Sequence, residues 1–411
     1  APPDTTDAPT RALDHPVDVL VLGGGPIGCL TAGFLQRMRP QSRVMVLERE
    51  STPGYRVGES TLPGFCKALR SLGIRQEALQ TLFFPKNGLG FSWADDQRSL
   101  HDAEEYVLET FDETFQVERR VLDALVLAQV RRLGVEVLQG ASADIAGATL
   151  KAEANVVEVK LGRRSLTVGA RWVVDATGPA AGLARRFGLW SDDGIAFQSH
   201  AVWASFEGAK ALGEQPLPTR TQFSRDEYTW HFATRAGWVW WIPQVSWDDA
   251  PQANLDRAIE SLLREGKLPD REALLRAGCP SSGRVSVGYV TRGDRDIHGV
   301  QRDAGEAFAQ VRAAIPALDT LLQGATIVAD LTKAGPYGSR KNLRGHARRV
   351  AGDGWLAVGD AAFFIDPLIS PGLTAGTATA WQAAAALASH LDGAMSEDRF
   401  AEYEAFTHQL H

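Results

Sequence analysis

The chain is poor in the residues that staple a fold or bind a metal. Cys29, Cys66 and Cys279 are its only cysteines in 411 residues. An odd number of thiols, widely spaced among small or apolar neighbours, excludes a disulfide framework and reads as buried free cysteine. The nine histidines fall at no metal-ligand spacing, so no metal is expected. Long apolar runs are missing as well, which argues against a membrane span. The opening residues Ala1 to Asp7 form a polar arm without the hydrophobic segment of a signal peptide. A cytoplasmic protein is the expectation. Positive charge is in deficit, with 43 Lys and Arg against 50 Asp and Glu, and a net charge of -7 speaks against a general nucleic-acid binder. Internal repeats and linker-like stretches are also lacking.

What is present is a hydrophobic content of 44%, enough for a large core divided into two or three domains. The apolar run Val19-Leu20-Val21-Leu22 leads into Gly23-Gly24-Gly25-Pro26-Ile27-Gly28, a G-x-G-x-x-G. Gly23 permits a tight turn, Gly25 admits a pyrophosphate against the backbone, and Gly28 allows close helix contact. The helix that follows turns its N-terminal amides toward anionic phosphates. A second strand, Arg43 to Leu47, ends in Glu48, about 20 residues beyond Gly28, where a carboxylate accepts ribose hydroxyls. This pattern predicts an unphosphorylated dinucleotide.

Further along, a helix is expected around Phe65 to Leu72 and another from about Arg119 to Leu133, with strands at Val135 to Leu138 and Arg171 to Val174. From Ala201 to Val290 aromatic and β-branched residues dominate, as in an antiparallel sheet. The chain then returns to a buried strand, Trp355 to Val358, and to a small-residue helix through Ala375 to Ala386. The expected class is α/β, a Rossmann-like nucleotide-binding domain of the glutathione-reductase type with an inserted antiparallel-sheet substrate domain. Its pieces are placed at 15–78, 100–188 and 330–395, the substrate domain at 79–99 and 189–329, and a short C-terminal helix or tail at 396–411.

Gly359 and Asp360 follow the returning strand, and Ser370-Pro371-Gly372 makes a turn before a helix. This arrangement resembles the second FAD motif of the class A flavoprotein monooxygenases, over nearly the whole chain. Within that superfamily the chain is most similar to the flavin-dependent halogenases. Arg56 to Pro63 resembles their loop near the flavin, Val117 to Asp123 their arginine motif, and Gly237-Trp238-Val239-Trp240-Trp241-Ile242-Pro243 their G-W-x-W-x-I-P signature. The resemblance implies FAD held by Gly23, Gly25, Gly28, Glu48, Arg49, Ser60, Arg119, Asp175, Gly359, Asp360, Gly372 and Leu373. It also implies a substrate pocket at Trp238, Trp240 and Pro243, whose indoles, Trp241 included, would wall a dry tunnel.

Lys86, a lone cation in Phe83-Phe84-Pro85-Lys86-Asn87-Gly88, sits where the family's catalytic lysine would, and Glu59 would line the flavin pocket. Two departures stand against halide transfer. Ile369-Ser370-Pro371-Gly372 replaces the family's Ser-Ser-Gly-Val turn, and proline removes a backbone donor from an anion site. The chain also stops about 30 residues past Trp381, leaving a site open enough for a polypeptide-borne substrate. The resemblance implies a flavin C4a-hydroperoxide, and the expectation leans to direct oxygenation of an electron-rich aromatic ring, an indole for example. Halogenation through Lys86 and an FAD-binding partner without oxygen insertion are the alternatives. No second G-x-G-x-x-G marks a nicotinamide domain, so electrons are expected from docked NAD(P)H or a flavin reductase.

Overall fold

The structure is a computed structural model that describes residues 11–12, 16–93, 104–215, 221–264, 271–393 and 398–410. Its first sheet is built on the strands that the sequence marks as continuously apolar. Val17–Leu22 and Val44–Glu48 are buried on both faces, as parallel strands covered by helices must be. The path through this sheet runs Ala351–Gly352, Trp355–Ala357, Arg164–Asp175, Val17–Leu22, Val44–Glu48, Glu136–Gln139. The last four of those strands and Trp355–Ala357 pair in parallel. Asn155–Leu161 adds an antiparallel flank, and its alternating buried and exposed residues show one face in the core and one in water.

Two helices cover this sheet at the nucleotide end. Pro26–Met38 begins with proline in its first turn, where the missing N–H costs nothing. Gly372–Leu391 packs beside it through small residues, and a Cβ on Gly376 would lie 2.8 Å from Ile27 Cδ1. Asp398–His408 closes over the same sheet, where the Tyr403 hydroxyl donates to the Ala357 carbonyl. Among the described residues no helix is long and apolar enough to cross a membrane.

The second sheet runs Thr326–Ile327, Ser199–Glu207, Ser282–Arg292, Gly237–Ser246, Tyr228–Ala233, Phe84–Trp93, Glu104–Gln116. It is antiparallel except where Tyr228–Ala233 meets Phe84–Trp93. The strand Glu104–Gln116 belongs here by its pairing with Phe84–Trp93, so the chain re-enters the first sheet after Gln116 and not near residue 100. Gly338–Arg340 likewise pairs with Ser199–Glu207, inside the stretch assigned by sequence to the nucleotide domain.

Tryptophans in this sheet stand opposite glycines. Trp240 is in register with Gly288, Trp203 with Gly338, and Trp230 with Gly90. A Cβ on any of those glycines would fall within 2.6 Å of the facing indole. The missing side chain is therefore the space into which each ring lies. One face of the sheet, with Val239, Trp241 and Val287, packs on the helices Ala304–Ala314 and Pro316–Leu321. The other face, with Trp203, Trp238, Trp240 and Val290, looks toward Tyr55 and Phe364 from the nucleotide side. The candidate site lies between that face and the first sheet.

Candidate active site

The glycine loop is formed as its spacing requires. Gly23 has φ +114°, and a Cβ there would stand 2.3 Å from the Ala176 carbonyl oxygen. A Cβ on Gly28 would stand 2.1 Å from the Gly23 oxygen. Gly25 is different, because a Cβ there meets no protein atom within 4 Å. The space beside Gly25 is thus left for something other than protein. Gly25 also caps the Pro26–Met38 helix without any side-chain acceptor for the first-turn amides. Unfilled amides at a helix N-terminus beside an open glycine are the donor set a pyrophosphate takes. Glu48 accepts from the Gly24 amide at 2.9 Å through Oε2 and from the Glu50 amide at 2.9 Å through Oε1, which fixes its carboxylate at the end of its strand. Arg49 is mostly exposed and pairs with Glu50 at 3.7 Å.

At the other end of the dinucleotide cleft Gly359 has φ +57°, and its amide donates to Thr379 Oγ1 at 2.9 Å. Burial pushes the Asp360 carboxyl up to about 6, against the pull of Arg340 and Arg119. Arg119, at the start of the helix Arg119–Arg132, is anchored by Asp123 at 2.9 Å and donates to the Val57 carbonyl at 3.0 Å. It therefore ties the loop before Gly58 to the Asp360 end of the cleft. Gly372 and Leu373 form the first turn of the Gly372–Leu391 helix, with Pro371 as its N-cap and Ser370 in the left-handed region at φ +56°.

Two of the expected cofactor residues are occupied elsewhere. Asp175 spends both oxygens on its own turn: Oδ1 accepts from the Thr177 amide and hydroxyl, and Oδ2 from the Leu183 amide at 2.6 Å. Ser60 faces the second sheet, its hydroxyl 2.8 Å from Thr229 Oγ1. Pro243 and Trp241 also depart from expectation. Side chains alternate along Gly237–Ser246, so Trp238 and Trp240 share the nucleotide-facing side, while Trp241 packs in the opposite core and Pro243 follows it.

Lys86 is fully buried. Its Nζ donates to the Thr61 carbonyl at 2.6 Å, and burial lowers the amine to about 7, with Cys66 opposing weakly. The register with Glu104–Gln116 shifts between Lys86 and Gly88, a bulge that the sequence does not reveal. Near it lies His231, which sequence reading passed over because it considered histidine only as a metal ligand. Burial holds His231 down to about 4, aided by Lys86, and its Nδ1 is 3.0 Å from the Gly90 carbonyl oxygen. Its ring stacks on Phe91 at 4.6 Å and lies 5.5 Å from Trp238. A row of rings thus leads from Lys86 and His231 to Trp238, Trp240 and Trp203.

Glu59 sits below that row, with Ser286 donating to its Oε2 at 3.0 Å and Trp240 Nε1 donating to Ser286 at 3.2 Å. Burial raises Glu59 to about 7 although Gln244, Ser286 and Arg119 pull it down.

The model of the tryptophan halogenase family matches residues 18–107. The chain is 28% identical over 400 residues to the flavin-dependent halogenase malA of Malbranchea aurantiaca, covering 89% of this chain and 58% of that protein. It is 27% identical to a 1H-pyrrole-2-carbonyl-[peptidyl-carrier protein] chlorinase of Pseudomonas fluorescens, covering 88% of this chain and 73% of that one. Among solved structures, the flavin-dependent halogenase CmlS superposes with a TM-score of 0.72 at 23% identity, over 96% of this chain and 62% of its own. The halogenase PltM gives 0.74 at 20% identity, over 95% and 73%. These likenesses give the chain the fold of those halogenases. Within that fold it is similar to the flavin-dependent halogenases, of which PltM has been solved in complex with FAD.

Proposed function

We propose that this chain is a flavin-dependent halogenase of electron-rich aromatic rings, with Lys86 as the residue that handles the activated halogen. The observation that carries the reading is the full burial of Lys86 within electrostatic reach of His231, the ring that leads to Trp238 and Trp240. FAD, when bound and reduced, supplies the activation of dioxygen. The residues that would hold it are Gly25 at the pyrophosphate, in the loop that Gly23 and Gly28 allow to close, Glu48 at the ribose, and Gly359, Asp360 and Arg119 at the flavin end. Around it the protein's task is placement and exclusion of water.

Lys86 suits its part because its amine changes charge near neutrality. As ammonium it donates a hydrogen bond to a hypohalous acid; as amine it takes the halogen from the O–halogen bond, losing one N–H proton to the hydroxide, which leaves as water. The Thr61 carbonyl fixes Nζ in either state. Trp238 and Trp240, packed against His231 and Gly288, keep bulk water from the path between flavin and ring. Electrons arrive from NAD(P)H or a flavin reductase, and the substrate is a small aromatic molecule or one carried on a polypeptide.

Oxygen transfer is the second reading, and Pro371 favours it. Proline leaves the N-cap of the Gly372–Leu391 helix without an amide hydrogen at the turn where halide would be held. Turnover with reduced FAD, labelled oxygen gas and chloride or bromide, on a panel of phenols, indoles and pyrroles, separates the two. Halogenation predicts a product mass gain that vanishes when halide is withheld. Labelled oxygen in the product without halogen would overturn it.

A further inference from the structure

Behind Glu59 lies a cavity of about 10 Å³, lined by Tyr55, Glu59, Glu118, Gln244 and Asp248, with Arg119, Arg120 and Arg284 at its edges. That volume holds about one water. The polar atoms around it are unusually short of partners. Glu59 Oε1, Gln244 Nε2, Tyr55 OH and Arg284 Nε are all buried and make no hydrogen bond among the described residues. Gln244 and Tyr55 nonetheless lie near enough to the Glu59 carboxyl to lower it as donors, though at no ordinary hydrogen-bond geometry. Polar groups around a cavity with bonding capacity left unfilled are the setting for a bridging water.

On the far side of the cavity Glu118 accepts from the Trp247 amide at 2.6 Å and from Arg120 at 3.1 Å. Its carboxyl also lies against Asp248, whose side chain is 42% exposed. Carboxyls therefore run from solvent inward: Asp248, Glu118, the cavity, Glu59. Trp240 Nε1, a donor only, donates to Ser286, which donates to Glu59, so these bonds anchor the inner carboxyl beside the indole face of the site and carry no proton onward.

The cations at the cavity do not make it an anion site. Arg119 is paired with Asp123, Arg120 with Glu118, and Arg284 with Asp248 and Glu207. An incoming anion would also meet the unpartnered Glu59 oxygen.

We propose that Asp248, Glu118 and Glu59, joined through a water in this cavity, form a proton inlet from solvent to the flavin site. The chemistry requires one. With one dioxygen and the reduced cofactor as its anion, which brings one proton along with its two electrons, replacing an aryl hydrogen by halide takes up two further protons and releases two waters. Hydroxylating the ring takes up one further proton and releases one water. A site walled by indoles against bulk water must take up those protons along a defined route. The inlet rests on the proposed function only in that demand, which both readings share.

The groups facing Glu59 across these elements are Tyr55, Arg119, Gln244 and Ser286, and those facing Glu118 are Arg120 and Asp248. Burial raises Glu59 and Glu118 each to about 7, the latter with help from Asp248, while Arg284 and Arg120 overcome burial to hold Asp248 below its ordinary value. Protons can therefore enter on Asp248 and be held inside near neutral pH.

The test begins on the flavin-free protein, by infrared spectroscopy of the carboxylic acid C=O stretch between pH 5 and 9. A band that titrates near neutrality, moves in D₂O and is lost in Glu59→Gln is expected. Ser286→Ala, which removes a donor to the charged form, should move its midpoint to higher pH. A Glu59 band that is absent throughout would overturn the inlet. In the FAD-loaded protein, Glu118→Gln should slow product formation about 10-fold or more, with FAD still bound. It should enlarge the solvent deuterium effect and be rescued by small buffer acids such as formic acid. An unchanged rate, or a loss that no acid rescues, would also overturn it. Product mass decides separately between halogen and oxygen, so the failure of either idea is visible without the other.

Discussion

Lys86 changes charge near neutral pH because burial leaves its ammonium one protein acceptor, the Thr61 carbonyl, in place of water. The same environment makes it a stability liability of definite sign. Its amine lies at about 7 in the folded protein and at its ordinary 10.5 when unfolded. Between those values the unfolded chain binds the extra proton, so this contribution to stability rises with pH and is lost as pH falls through 7. Lys86→Met should accordingly be more stable than the parent, by on the order of a few kcal/mol at pH 6. The gap should narrow steadily toward pH 10. Urea unfolding of both proteins across that range measures it, and a gap independent of pH would return Lys86 to an ordinary solvated lysine. The sequence showed this lysine among apolar neighbours and so made it a candidate. His231 was not legible in that way, since its place beside Lys86 depends on a parallel strand pairing with Phe84–Trp93.

Elements that depend on local pattern were read closely. Helices expected at Phe65 to Leu72 and Arg119 to Leu133 form at Pro63–Ser71 and Arg119–Arg132, and the small-residue helix extends over Gly372–Leu391. The strand Glu104–Gln116 lies across the boundary expected near residue 100 because sheet membership is set by its partner, Phe84–Trp93, and not by its own composition. Pro243 and Trp241 show the same limit at finer grain. A tryptophan-rich signature says that indoles are present, and only alternation along the built strand says which of them face the site. The glycines opposite the indoles are the non-local half of that signature. Gly288→Ala places a methyl where the Trp240 ring lies, at 2.0 Å from Cζ2. The ring has to leave its place over the strand. We expect a loss of about 1–3 kcal/mol in chemical unfolding, together with altered tryptophan fluorescence, because the displaced indole also loses its bond to Ser286. Unchanged stability and fluorescence would mean that the sheet gives way easily at this register.

At the scale of the molecule, the chain passes back and forth between its two sheets, entering the second at Phe84, returning after Gln116, entering again at Ser199 and returning through Trp355–Ala357. Neither sheet is a contiguous segment, and the cofactor cleft and the carboxyls behind Glu59 both lie where they meet. Unfolding should therefore be a single transition in which loss of either sheet exposes the site. FAD binds only the assembled form, so it should raise the melting temperature by mass action. At 100 times its dissociation constant the gain is about 2.7 kcal/mol, which for a chain of this length corresponds to roughly 3 °C. Gly25→Val supplies the control. A Cβ there meets no protein atom within 4 Å, so the variant should fold and melt as the flavin-free parent does. It should nevertheless show no shift with FAD, because the new side chain fills the space left for the pyrophosphate. Gly28→Val is the contrast, since its Cβ would stand 2.1 Å from the Gly23 oxygen and the loop itself cannot close. Calorimetry of the three proteins with and without FAD reads all of this. A Gly25→Val protein that still gains stability from FAD would show that the cofactor approaches by another route than the glycine loop.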